Sequence, residues 1–176
     1  ESYSPDLVGI TMMTLDYLDT IKMIGRLKQR FPVDVAVGGP HMSCMREELI
    51  ERHPEIDCGV VLEGELTLVE LCSGNDLSSI KSLLYRSNSK VVFNGERGFQ
   101  RDLDGIPFPR YKKFELQKYL KRSIGIVTSR GCPYRCIYCP VRLTSGRKMR
   151  LRSAENIFAE IEYWYSQGYR SVDLWD

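Results

Sequence analysis

Arg130-Gly131-Cys132-Pro133-Tyr134-Arg135-Cys136-Ile137-Tyr138-Cys139-Pro140 is the stretch from which the rest of the chain is best read. It sets Cys132, Cys136 and Cys139 in a Cys-x3-Cys-x2-Cys array. Three thiolates on one short loop can converge on a single metal centre without help from a distant segment. A structural zinc site takes four ligands, and a fourth is hard to find. The only histidines are His41 and His53, and the next cysteine back is Cys72. A soft, all-thiolate site with one open position suits an iron–sulfur cluster better, with three irons on cysteine and one left for an exogenous ligand.

The 176 residues make one large domain or two small ones, and 43% hydrophobic with 27% charged residues is ordinary for a globular protein. No apolar run has the length needed to span a bilayer, and the first residues carry no signal-peptide pattern. Six cysteines could form a disulfide framework in a secreted chain. Without a signal, and with three thiols crowded on one loop, a reducing cytoplasm is expected instead. The start at Glu1 without Met and the end at Asp176, just after an apparent strand, read as cuts through a longer protein. The piece on its own is therefore expected to be inactive.

Charge is unevenly spread. Between Leu116 and Ala154 stand ten basic residues and no acid, leaving fifteen basic and twenty-three acidic residues elsewhere, a net of −8. Such a run can mark a nucleic-acid surface. Here it surrounds a site that would hold an anionic cluster and a carboxylate, so local neutralisation accounts for part of it. Nucleic acid is not the expected partner, and Arg142, Arg147 and Lys148 read as a solvated face.

Upstream, Asp6–Thr11 is a short apolar run with a buried-strand signature. Met12–Thr14 is read as a loop. Leu18, Ile21, Ile24 and Leu27 give residues 17–29 a helical period, with Asp16 as N-cap and Pro32 as the stop. Val33–Val37 alternates as a second strand and runs into Gly38-Gly39-Pro40-His41. A helix over 46–52, a strand over 58–62 and a helix over 66–72 follow.

This alternation implies a parallel sheet with right-handed crossovers, a Rossmann-like α/β arrangement whose ligands bind at the carboxyl ends of the strands. The loops at those ends are Thr11–Thr14, Gly38–His41 and Glu63–Glu65. The paired glycines admit a flat ligand or a phosphate close to the backbone; a tight turn is the other reading. Cys44, Cys58 and Cys72, spaced by fourteen residues, are either small core residues or ligands of a second cluster.

Farther along, Leu83–Arg86 and Lys90–Phe93 around Ser87-Asn88-Ser89 spell a β-hairpin. Residues 95–110 are rich in Gly and Pro. Ile124–Thr128 is a strand leading into the cysteine loop. Ser153 caps a helix with buried face Ile157, Ile161 and Trp164, flanked by Phe158 and Tyr165 and ended by Gly168. Val172–Trp175 is a further strand, and Asp176 stands at its carboxyl end, where βα-barrels carry their chemistry. The expected domains are 1–75, a connecting hairpin and linker over 76–120, and the start of a barrel over 121–176.

The cysteine array, with Tyr138 before its third cysteine, resembles the signature loop of radical S-adenosylmethionine (SAM) enzymes. Thr128-Ser129-Arg130-Gly131, Arg150-Leu151-Arg152-Ser153-Ala154-Glu155-Asn156 and the Asp102-Leu103-Asp104 then Pro107-Phe108-Pro109 linker are similar to the subset with an N-terminal cobalamin-binding domain. Asp6–Thr11, Val37–His41 and Leu62–Glu65 look like the second half of that domain. The resemblance implies a Rossmann-like cobalamin domain followed by the first βα units of a radical SAM partial barrel. It implies a 4Fe-4S cluster on Cys132, Cys136 and Cys139, with Tyr138 near the adenine of SAM and Asp176 near its amino group. It implies cobalamin against Thr11, Met12, Thr14, Gly38, Gly39, Glu63, Gly64 and Glu65, and gives His41 an orienting or tail-contacting role, with a satisfied surface histidine as the plainer reading.

In that family SAM is cleaved reductively to a deoxyadenosyl radical, with electrons from a donor such as a flavodoxin or ferredoxin, and members methylate unactivated carbons, form rings or rearrange substrates. The substrate is not legible. Two other readings stand beside this one: a radical SAM methylthiotransferase with a second cluster on Cys44, Cys58 and Cys72, and a non-enzymatic zinc-binding module.

Overall fold

The structure, a computed structural model, describes residues 4–111, 114, 115, 118 and 123–176. Lys121 and Arg122 of the basic run, and the expected boundary at 120/121, lie outside the described residues. The chain forms two compact units, one of residues 1–99 with 135–145, the other of 100–134 with 146–176.

The first unit is built on a five-stranded sheet in the order β1-β2-β3-β4-β5. Its strands are β1 (Leu7–Thr11), β2 (Asp34–Gly38), β3 (Cys58–Val60), β4 (Leu83–Ser87) and β5 (Lys90–Phe93). The first three run parallel, and β4 joins β3 antiparallel. The sheet is therefore mixed, and the hairpin read as part of a connecting segment extends it. Asn88 and Ser89, with φ of 48° and 64°, make the hairpin turn.

Alternation along β2 sorts the two faces. Val35 and Val37 pack with Ile24, Met42, Leu49 and Ile50, under α1 (Tyr17–Arg30), α2 (Pro40–Met45) and α3 (Glu47–Arg52). Ala36 points the other way, with Cys58, Val60, Ile80 and Leu83 beneath α4 (Glu65–Cys72).

Three local expectations change. Leu18 is 67% exposed, because residues 18 and 27 are nine apart and nine steps of 100° put them on opposite sides of a helix. The buried face instead runs through Tyr17, Thr20, Ile21, Ile24 and Leu27. Asp16 precedes α1 without capping it; its Oδ1 accepts the Met13 N–H at 2.9 Å. The helix expected over 46–52 is α3, and a further helix, α2, stands before it where only a loop was expected. α2 begins right after Gly39, and Arg46, at φ 49°, breaks it from α3. Arg46 is held there by Glu96 at 2.6 Å and by stacking on Phe93 at 5.6 Å. The segment 135–145 carries α5 (Val141–Thr144), which packs beside α2.

The second unit is a βαβ element. β6 (Ser123–Val127) pairs parallel with β9 (Ser171–Trp175), and α6 (Ala154–Ser166) connects them. Trp164, Ile124 and Ile126 form its core with Tyr111, Ile161 and Val172 against them. Phe158 and Tyr165 stay exposed. Ser153 accepts the Asn156 N–H at 3.1 Å, and Gly168, at φ 93°, ends the helix, as the sequence implies. A two-residue ladder of β7 (Ser129–Arg130) with β8 (Arg150–Leu151) brackets the cysteine loop. Part of the Gly/Pro-rich segment docks here: Arg150 donates to the Gln100 carbonyl at 2.6 Å, and Asp104 accepts the Ser153 N–H at 2.9 Å.

Candidate cofactor sites

A slot of about 380 Å³ opens at the carboxyl ends of β1, β2 and β3. Gly9, Thr11, Ala36, Gly38, Gly64 and Leu68 are among its walls. Of the residues singled out from the sequence, Thr11, Gly38, Gly39, Gly64 and Glu65 line it. Gly39 has φ 91°, and a Cβ there would meet Thr11 Cγ2 at 2.9 Å and the Met12 carbonyl at 3.0 Å. Glycine is thus needed where the loops after β1 and β2 touch.

Met12, expected to contact the cofactor, is not among the lining residues; it is fully buried in the core cluster with Val35, Val37 and Met42, its N–H donates to the Gly38 carbonyl and its carbonyl accepts the His41 N–H. Thr14 and Glu63 are not among the lining residues. Sequence reading missed Gly9, Ile10, Ala36, Val60, Leu62 and Leu68. The signal for Gly9 was the period of two that places it on the face of Thr11.

His41 is buried rather than a surface residue, at 9% exposure. Its Nδ1 lies 3.0 Å from Thr14 Oγ1, and its ring stacks on Tyr17 at 4.7 Å. The Tyr17 hydroxyl lies 2.6 Å from His53 Nε2, so both histidines of the chain meet one tyrosine. Burial lowers the His41 pKa below 6.5; Asp16 raises it and His53 lowers it further. The imidazole orients the loop after β1 from behind.

In the cysteine loop, Gly131 adopts φ 89°, and the Cys132 N–H donates to the Gly146 carbonyl at 3.0 Å. The Cys139 N–H donates to the Cys136 carbonyl at 3.3 Å. All three cysteines are free thiols, Cys136 exposed and the other two half-buried. Tyr138 is 86% exposed. Among the described residues no three His, Cys, Asp or Glu side chains are grouped as a metal ion requires. The donor set itself, three thiols of Cys132, Cys136 and Cys139, is of the kind that holds iron–sulfur clusters.

Asp176, expected at a strand end, accepts a hydrogen bond from Thr128 Oγ1 at 2.5 Å. That hydroxyl, with Ser129, holds its carboxyl below the usual carboxylate range. Cys58 is buried in β3, with its thiol pushed up to about 11 by burial and by Asp57 and Asp34. Cys44 and Cys72 are exposed. Core packing accounts for Cys58, and the three do not form a metal-binding group. No helix among the described residues is long and apolar enough to cross a membrane.

A mixed α/β sheet with a slot at the carboxyl ends of its parallel strands, followed by a βαβ unit whose first loop carries three thiols, defines the class: an α/β protein with two candidate cofactor sites. Residues 1–72 match the B12 binding domain family. Over 187 aligned residues the chain is 33% identical to the uncharacterized methyltransferase PH0819 of Pyrococcus horikoshii, covering 100% of this chain and 40% of that protein.

Among solved structures, the radical S-adenosylmethionine methyltransferase TsrM from Kitasatospora setae, with tryptophan substrate and a SAM analogue bound, superposes with a TM-score of 0.77. The identity is 24%, over 99% of this chain and 37% of that one. The same enzyme with cobalamin and its iron–sulfur cluster bound gives 0.73 at 21% identity, over 98% of this chain and 37% of that one. Over nearly its whole length the chain therefore has the fold of these solved enzymes, with the B12 binding domain match in its first 72 residues. It spans less than half the length of these relatives.

Proposed function

We propose that the protein containing this chain is a cobalamin-dependent radical SAM enzyme, with methyl transfer to an unactivated carbon as its reaction class. The observation that carries this reading is the slot at the ends of β1–β3, inside the residues that match the B12 binding domain family, with the three-thiol loop following in the same chain. Methyl transfer is favoured over ring formation by the names of the relatives cited.

When bound, the 4Fe-4S cluster, SAM and cobalamin supply one-electron reduction, radical generation and methyl carriage. The chain's own residues hold and orient them. Cys132, Cys136 and Cys139 are the iron ligands, and Tyr138, exposed within the loop, is free to stack on the adenine of SAM. Asp176, kept ionised by Thr128, accepts from an ammonium group such as the amino group of SAM. Gly38, Gly39 and Gly64 let the corrinoid approach the backbone, with Thr11 and Glu65 at the wall. Met12, buried in the core, and Thr14 and Glu63 act through the loops that carry them. Free thiols throughout fit a reducing, cytoplasmic setting with a flavodoxin- or ferredoxin-type electron donor.

The test is anaerobic reconstitution of the full-length protein, with iron, sulfide and cobalt analysis and electron paramagnetic resonance of the reduced sample with and without SAM. About four irons per chain, a signal that changes on adding SAM, and bound cobalt are expected. Replacing the three cysteines by alanine should abolish the iron and spare the cobalt. Stoichiometric zinc without iron would overturn the reading.

A further inference from the structure

Arg152 belongs to a buried ion pair that folding alone does not explain. Glu160, 2% exposed, gives one carboxylate oxygen to Arg152 Nη1 at 2.5 Å and the other to the Trp164 indole N–H at 3.4 Å. Taking two charges out of water is costly, and an apolar pair of similar volume is often as stable or more so. The remaining contacts of Arg152 show what the pair holds. Nη1 also donates to the Val127 carbonyl at 2.9 Å, and Nε donates to Asn156 Oδ1 at 2.7 Å. The Arg152 backbone N–H donates to the Thr128 carbonyl at 3.0 Å. Phe108 lies across the guanidinium at 5.4 Å.

The Val127 and Thr128 carbonyls belong to the two peptide planes on either side of Thr128. Each plane is rigid, so fixing both fixes φ and ψ of Thr128. Its branched side chain then has few rotamers left. That side chain is the one whose hydroxyl crosses from the end of β6 to Asp176 after β9, at 2.5 Å. We infer that Arg152 is a positioning residue for the reaction: by holding the planes around Thr128 it aims the Thr128 hydroxyl, and through it the Asp176 carboxylate, at the amino group of SAM. This rests on the reading of Asp176 as a SAM contact. Glu160 supplies the counter-charge, so the buried pair serves placement rather than stability.

The test uses the full-length protein, reconstituted anaerobically, and follows the electron paramagnetic resonance signal of the reduced cluster as SAM is added. Thr128→Val removes the hydroxyl and keeps the side-chain shape; it should raise the SAM concentration at half-change about tenfold. Arg152→Leu combined with Glu160→Leu removes the clamp without stranding a charge. It should weaken SAM to a similar degree while iron and cobalt contents stay at the wild-type level. Adding Thr128→Val to that leucine pair should weaken SAM no further, because both changes act through one carboxylate. Arg152→Lys keeps a charge opposite Glu160 and lacks the planar fork, so it should recover part of the affinity. SAM binding at the wild-type level in the leucine pair, or losses that add in the combined variant, would overturn the role of Arg152. If the leucine pair loses its iron, Arg152→Lys decides: weaker SAM binding at full iron content supports the role, and unchanged binding overturns it. Wild-type SAM binding in Asp176→Asn would overturn the reading of Asp176 itself, an outcome distinct from the others.

Discussion

Thr14 Oγ1 and His41 Nδ1 lie 3.0 Å apart, joining the turn after β1 to the first turn of α2. Behind His41 stands Tyr17, hydrogen-bonded in turn to His53, whose Nδ1 is 3.4 Å from Glu55. Burial is the largest influence on His41 and lowers its pKa below 6.5, Asp16 opposing and His53 adding to it. As pH falls the unfolded chain therefore takes up this proton first. The contribution of His41 to stability is complete above 6.5 and is lost as pH drops through its lower folded value. Thermal melts of wild type and His41→Gln across roughly pH 5 to 8 should show a loss on acidification that is smaller in the variant.

Cys58 should be chemically silent. Its thiol is pushed up to about 11, chiefly by burial, so the reactive thiolate is scarce at about pH 8. Cys44 and Cys72 are exposed. Alkylation followed by peptide mass spectrometry should label those two in the native protein and label Cys58 only after unfolding.

Arg152 and Glu160 form a buried pair at 2.5 Å, with Glu160 2% exposed. Arg152 also donates to the Val127 carbonyl at 2.9 Å and to Asn156 Oδ1 at 2.7 Å, and stacks on Phe108 at 5.4 Å. Glu160→Ala strands that charge and should cost about 3–5 kcal/mol, measured by denaturation. Replacing both residues by leucine should cost less than the single change, since no unpaired charge remains.

The start of α6 carries two caps. Ser153 Oγ accepts the Asn156 N–H, and Asp104 accepts the Ser153 N–H. Ser153→Ala should cost about 1 kcal/mol. The Ser153 contacts hold the Asp104 carboxyl below 3.8. Its stabilising effect is therefore full above that value and is lost as pH falls through the lower folded one. Asp104→Asn should remove this acid-side dependence and increase protease cleavage between Gln100 and Phe108.

What could be read ahead of the structure was local. The period of β1, β2 and α6, the Ser153 cap, the Gly168 stop and the hairpin around Asn88 depend on residues a few positions apart, and their physics is complete within a short window. The three thiols of one loop belong to the same category: Cys132, Cys136 and Cys139 announce a centre because nothing distant is needed to assemble it. The helix break at Arg46 was not legible, since Glu96 and Phe93, about fifty residues on, hold it.

The sequence by itself determined the succession of strands and helices, the cysteine array and the glycine turn after β2, because side-chain periodicity and backbone sterics act locally. Tertiary structure alone decided that β4 joins β3 antiparallel, that Glu160 is buried against Arg152, that His41 faces Thr14, and that Gly9 lies beside Ala36 in one slot with Leu68. Each of these depends on strand register or on packing between elements far apart in the chain. Their energies arise only when the chain is folded and water is excluded from the surfaces that meet.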